Sequence, residues 1–160
     1  MIISKTLELN EILIKPRFCE IDSLLIVHHS RFIPWVEEAN FNFVEQVLNI
    51  SRKQLFEIDL YNPIHKLEFM YKNNVKWDDE LIVSTVMEYN QFALFTMHNT
   101  ISCRKNPSKI FATAKISLLI ANKELKLKLL MPDFYLSKIK QAEKVYPQYF
   151  IKSDHVQQSK

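Results

Sequence analysis

The chain has 160 residues, 48% of them apolar and 24% charged, with a net charge of +3. These values suit one globular domain with a core of its own, and exclude a disordered chain, a collagen and a disulfide scaffold. The sequence contains no glycine, so no GxGxxG or GxxxxGK(S/T) phosphate loop can be present.

No basic block is dense enough to make nucleic acid the main ligand. Cys19 and Cys103 have no metal-ligand spacing and read as reduced thiols of a cytoplasmic protein. The start, Met1-Ile2-Ile3-Ser4-Lys5, lacks the charged head and apolar run of a signal peptide. No apolar run reaches the roughly 18 residues of a membrane span.

The first pattern, residues 13–20, predicts a strand, with Pro16 marking an edge or bulge. Residues 20–23 break it, and residues 24–29 form a short apolar connection ending in His28 and His29. A long helix follows. Phe32, Trp35 or Val36, Ala39, Phe43, Val47 and Ile50 recur at steps of three and four, Ser30 can cap it, and Pro34 fits its first turn. Residues 51–56 predict a short second helix.

The period then changes to two. Strands are predicted over residues 64–71, 81–89, 94–103 and 110–120. A fifth, half-exposed one is marked by Leu125, Leu127 and Leu129 alternating with Lys126 and Lys128. The breaks carry Asn73-Asn74, Asp78-Asp79, Asn90-Gln91, Asn106-Pro107 and Asn122-Lys123. Asn and Asp tolerate the left-handed conformation, and here they are expected to stand in for glycine. Pro132 opens a C-terminal helix from 133 to about 144. The organisation is one domain over residues 1–145 and a polar, mobile tail over 146–160. One long helix with an antiparallel run of strands is an α+β arrangement, packed economically by curling the sheet around the helix.

Polar groups concentrate between the first strand and the long helix: Glu20, Asp22, Ser23, His28, His29, Ser30 and Arg31. A helix start offers unpaired N–H groups and partial positive charge, which can hold a developing oxyanion. A carboxylate just upstream can serve as base or nucleophile on a carbonyl held there. The plain alternative is a capping turn with surface charges. His65 and His98 read as hydrogen-bonded strand side chains, and no metal site is expected. Phe41, Phe43, Phe69, Phe92 and Phe95 read as core, and Lys72, Lys76, Arg104, Lys105 and Lys109 as surface charges able to meet phosphates.

The run Arg17-Phe18-Cys19-Glu20-Ile21-Asp22-Ser23-Leu24-Leu25-Ile26-Val27-His28-His29, continued by Phe32, Trp35 and Glu37-Glu38-Ala39, resembles the signature of hotdog-fold acyl-CoA thioesterases of the 4-hydroxybenzoyl-CoA thioesterase type. Residues 71–81 resemble that family's strand-turn-strand, and Leu129-Leu130-Met131-Pro132 its lead into the last helix. The resemblance covers about residues 8 to 140. It implies a hotdog fold, with about five to six strands in a curved antiparallel sheet wrapped around one long helix. It implies a homodimer or homotetramer built by joining sheets, and hydrolysis of an acyl-CoA or acyl-carrier-protein thioester without a cofactor.

By the same resemblance Asp22 is the base or nucleophile and the N–H near His29 holds the thioester oxygen. His28 and His29 line the pocket or orient the loop; Leu25, Val27, Arg31 and Glu38 complete the substrate-binding set. Three departures matter, one of them Asp78, which stands where a glycine often precedes the turn aspartate. Leu25 stands where the family has a turn glycine, which points to a reshaped loop, a narrowed pocket or lost activity. Asn40 replaces an arginine. Two other readings therefore stand beside hydrolysis: a non-catalytic module binding acyl groups or carrier protein, and a 3-hydroxyacyl dehydratase pairing His28 or His29 with Glu37 or Glu38.

Overall fold

The computed structural model describes residues 7–153. Five strands form the body of one sheet: β1 (Glu11–Ile14), β2 (Ile64–Tyr71), β3 (Leu81–Tyr89), β4 (Leu94–Cys103) and β5 (Ile110–Leu119). Their order is β1-β3-β4-β5-β2, every neighbouring pair antiparallel. A short sixth strand, β6 (Phe150–Lys152), runs parallel to β3 along Met87, Glu88 and Tyr89, on the same edge that β1 occupies further down. Of the residues expected in the polar tail, Pro147–Tyr149 form a tight turn and Phe150–Lys152 join the sheet, because Tyr149 and Phe150 bury their rings in the core.

The long helix begins as a tight turn (His29–Arg31), continues as α1 (Phe32–Asn42) and ends in a wider π turn (Phe43–Val47). It stops short of Ile50 because Asn49 takes a left-handed conformation, φ 52°, a common helix terminator. Ser51 then caps α2 (Arg52–Glu57) in a reciprocal pair with Gln54. The last helix, α3 (Asp133–Val145), starts behind Pro132 as expected.

The sheet's period of two turns alternate residues of β3 and β4 onto the helix: Val83, Thr85, Met87, Tyr89 from one, Phe95, Met97, Asn99, Ile101 from the other, all buried. Two apolar clusters result. One gathers Phe32, Trp35 and Val36 with Leu81, Ile101 and Phe111 near the helix start. The other gathers Phe43, Val47 and Leu48 with Met87, Met97 and α3. Between them lies a buried polar seam. The Asn99 amide donates to Asn40 Oδ1 (2.8 Å) and Thr85 Oγ1 (2.9 Å), and Asn10 exchanges bonds with the Thr85 main chain. Curved antiparallel sheet around a long helix is the hotdog arrangement.

Three expectations are corrected. The first strand ends at Ile14, not near Glu20: Pro16 has no N–H for the ladder, and Phe18–Glu20 curl into a tight turn. No strand forms over Leu125, Leu127 and Leu129. Asn122 closes a turn there, its carbonyl taking the Leu125 N–H and its side chain those of Glu124 and Lys126, and the leucines lie in solvent. The hairpin Asn and Asp residues do not replace glycine by left-handed backbone. Among the described residues positive φ occurs at Leu25, Asn49, Asp59 and Leu125. The turn residues Asn90 and Asn122 instead accept main-chain N–H groups through their side chains.

The phenylalanines also divide. Phe43 and Phe95 are core and Phe69 is half-buried, but Phe41 and Phe92 are exposed, Phe41 lying under the Arg52 guanidinium.

The polar seam predicts unequal mutational costs. Thr85→Val removes one acceptor and should cost roughly 1 kcal/mol. Asn99→Ala also strands the Asn40 oxygen and opens a void, and should cost about 3 kcal/mol. Urea unfolding of both variants checks the order.

Candidate active site

The candidate site is built where the chain passes from β1 into the helix. Residues 21–27 form a small hairpin: Ile21 bridges Val27, and the Asp22 N–H bonds the Ile26 carbonyl at 2.8 Å. A second tie, Val27 N–H to Val75 carbonyl (2.8 Å), fixes the hairpin to the segment before β3. A third, His28 N–H to Glu20 carbonyl (2.9 Å), fixes the helix start.

Residues 22–25 make the turn itself, closed by Leu25 N–H to Asp22 carbonyl at 3.1 Å. Asp22 Oδ1 accepts the Leu24 N–H (2.8 Å) and, at longer range, that of Ile26 (3.5 Å). One oxygen of this half-buried carboxylate is thus held by the loop, and the other takes no protein hydrogen bond among the described residues.

Leu25 keeps the turn with φ 60°, a conformation that costs a non-glycine residue roughly 1–2 kcal/mol. The glycine position therefore retains a glycine-like backbone. The leucine side chain is 73% exposed, and Leu24, Phe18 and Trp77 are exposed as well.

The helix start is capped by His28, whose Nδ1 accepts the Ser30 N–H (3.3 Å) and lies 2.9 Å from the Ser30 hydroxyl. Accepting at Nδ1 leaves the ring proton on Nε2. The His29 ring packs on His28, and edge-on against Tyr71. The Tyr71 hydroxyl donates to the His29 carbonyl at 3.1 Å, and burial pushes the Tyr71 phenol above its ordinary pKa. Among the described residues the His29 N–H has no partner, so it stands at the helix start with an open donor position.

Of the other expected site residues, His28 and Arg31 are exposed at the same turn, and Glu38 is exposed about two turns further along α1. Val27 is different. Its side chain is buried against Ile14 and Trp35, and what it brings to the site is its main-chain bond to Val75. Neither histidine bonds Glu37 or Glu38 among the described residues. His98 pairs with Glu88 at 2.6 Å on the outer sheet face, away from the helix.

Comparison with known proteins matches residues 16–139 to the family model of the thioesterase-like superfamily. The chain belongs to the thioesterase-like superfamily. Thioester hydrolysis is the activity class that comes with that membership. No curated protein sequence matches the chain. Solved structures share its fold. A DHNA-CoA thioesterase from Staphylococcus aureus is 17% identical, with a TM-score of 0.73 over 89% of this chain and 96% of that one. A 1,4-dihydroxy-2-naphthoyl-CoA thioesterase from Synechocystis is 16% identical, with a TM-score of 0.71 over 81% and 94%. A 4-hydroxybenzoyl CoA thioesterase mutant, complexed with 4-hydroxybenzoyl CoA, is 16% identical, with a TM-score of 0.71 over 80% and 96%.

Two features of this thioesterase-like chain escape a reading of the sequence. The first is the burial of Glu20, whose Oε2 accepts the Arg17 N–H (2.7 Å) and whose Oε1 pairs with the Arg17 guanidinium (3.0 Å). Burial would raise its pKa, but the Arg17 main chain and guanidinium, with the Trp35 indole, hold the carboxyl below its ordinary 4.5. The second is a cavity of about 400 Å³ between the helix and the sheet, lined by Glu37, Asn40, Phe41, Leu55, Phe95 and Leu118 among others. At 1.5 Å per helical residue it begins roughly 12 Å along the axis from His29. Its walls come from distant elements, so no local pattern announces it.

Because the folded carboxyl of Glu20 is depressed, its contribution to stability is present above pH 4.5 and is lost as the pH falls through the lower folded value. Glu20→Gln should therefore be destabilised at neutral pH, with the deficit shrinking in acid; unfolding midpoints at both ends of that range measure it. Leu25→Gly relieves the left-handed strain but gives up unfolded-state restriction, leaving a gain of about 1 kcal/mol. Thermal melts should show a higher midpoint.

Proposed function

We propose that the protein hydrolyses acyl thioesters of coenzyme A or an acyl carrier protein, with Asp22 as the reacting carboxylate. The observation that carries this reading is the turn at residues 22–25, which closes through a left-handed Leu25 and leaves one Asp22 oxygen uncommitted. Such an oxygen can take a proton from water as the water oxygen joins the thioester carbon, or it can join that carbon itself. Either way the carbonyl oxygen gains negative charge, which the His29 N–H and the helix start are placed to receive. The C–S bond then breaks: in the first case the thiol leaves with the proton that Asp22 took from water, and in the second the thiolate leaves and water hydrolyses the Asp22–acyl anhydride, its proton going to the thiolate.

Tyr71 and His28 act as positioning residues: one holds the His29 carbonyl, the other caps the turn. The acyl group then runs along the helix into the apolar cavity, whose volume lies within the usual range for ligand sites. An exposed β2 edge, carrying Ile64, Leu67, Met70 and Tyr71, supports assembly of copies by sheet joining. Cys19 and Cys103 are unpaired, in keeping with activity in a reducing cytoplasm.

The left-handed Leu25 removes the main support for a non-catalytic module. The unpaired histidine–glutamate geometry removes that for a dehydratase.

Asp22→Asn keeps a side-chain oxygen to cap the turn but has no basic or nucleophilic oxygen. It should lower hydrolysis by at least about 100-fold while thermal midpoint and oligomeric state stay close to wild type. Thiol release from short, long and aromatic acyl-CoAs is the assay, and wild-type rates in the variant would remove Asp22 from the mechanism.

A further inference from the structure

The hairpin that replaces the expected fifth strand leaves its leucines without partners. Leu125 and Leu129 are 68% and 85% exposed, and Leu127 and Leu130 are exposed with them. This is not slack chain. The Lys123 N–H bonds Asp59 Oδ1 (2.8 Å), the Lys128 N–H bonds the Ile120 carbonyl (2.8 Å), and the Ala93 N–H bonds the Leu129 carbonyl (3.1 Å). Leu125 moreover sits at φ 59°, so a strained backbone holds a leucine in water, where nothing in the fold rewards it.

Charge is interleaved with these apolar tips. Lys126 and Lys128 alternate with the leucines, Lys123 precedes them, and Glu124, the acidic residue of the run, is paired to Lys126 at 2.7 Å. The Asp59–Lys123 bond sets the hairpin beside the exposed Phe56 and Ile58, and Phe56 is also a wall of the cavity under α1.

We propose that residues 122–130 dock on the surface of an anionic lipid bilayer, beside the mouth of the acyl cavity. Protruding leucines suit a fluid apolar phase, whereas a protein partner would need a matched surface packed around each tip. Interspersed lysines supply attraction to anionic headgroups, and the combination of basic and apolar side chains is what interfacial segments use. The surface binds without crossing: among the described residues no helix is long and apolar enough to span a membrane. This docking is independent of the hydrolytic reading.

The test is co-sedimentation of the full chain with phosphatidylcholine vesicles, with and without phosphatidylglycerol. Wild type, and equally Asp22→Asn, should sediment with the anionic vesicles and less so at high salt. Leu125→Ser/Leu129→Ser and Lys123→Glu/Lys128→Glu should each bind roughly tenfold more weakly, with unchanged circular dichroism. Wild type remaining in the supernatant, or variants that partition like wild type, would overturn the proposal. So would a leucine variant that falls to a smaller oligomer by light scattering, which makes the surface a contact between copies. Salt-dependent binding to an acidic carrier protein with none to vesicles would overturn it as well.

Discussion

The start of the long helix and the turn that precedes it are set by Glu20. Its carboxylate is buried against Arg17 and Trp35, while its carbonyl takes the His28 N–H. A buried charge is tolerable only when its hydrogen bonds are met, so the Arg17–Glu20 turn cannot drift without exposing an unpaired carboxylate to the core. The hairpin of residues 21–27 hangs between that anchor and Val75. Asp22 and His29 are thereby carried on two short arms of one rigid turn rather than on a loop free to sample other shapes.

A second constraint runs through the middle of the interface between helix and sheet. The Asn40–Asn99–Thr85 seam parts the core into two apolar clusters. One cluster backs the helix start and the Asp22 turn; the other lies beside the cavity. Asn99 Oδ1 is buried without a partner among the described residues, a cost that a purely apolar seam would avoid. What the amides add is register: a helix sliding by one residue would leave several buried polar groups unmet, whereas apolar contacts tolerate such a shift. The distance from His29 to the cavity is held by that register.

The fold was legible because its periods are clean. Steps of three and four over residues 32–47, then steps of two over four strands, describe a helix lying on a sheet. The failures share a cause: a local pattern was read without its partner. Lysine–leucine alternation over 125–129 looks like a half-buried strand, but no strand lies alongside to cover the leucines. The short β6 shows no alternation long enough to detect, and is made by tertiary burial of Tyr149 and Phe150. At the site, Asp22 and His29 could be picked out because their spacing resembles a known family. Glu20 stood out only as one of a polar cluster, since its importance lies in being buried, and the cavity could not be seen at all, since its walls meet only after folding.

The missing glycines bring these threads together. A chain without glycine must place other residues wherever the backbone turns left-handed. Asn49 and Asp59 are the inexpensive choice, since their side chains tolerate that region. The other two such positions among the described residues hold leucine, Leu25 and Leu125, each costing roughly 1–2 kcal/mol against a net stability of about 5–15 kcal/mol. Both leucines face solvent, so core packing does not offset the strain. One sits in the turn that orients Asp22, the other at the tip of the hairpin beside the cavity mouth. If the chain needed only to close these turns, asparagine would do so with less strain, as it does at position 49. Leucine at both points therefore puts the costliest left-handed backbone of the described residues under apolar side chains that the chain's own fold leaves in solvent.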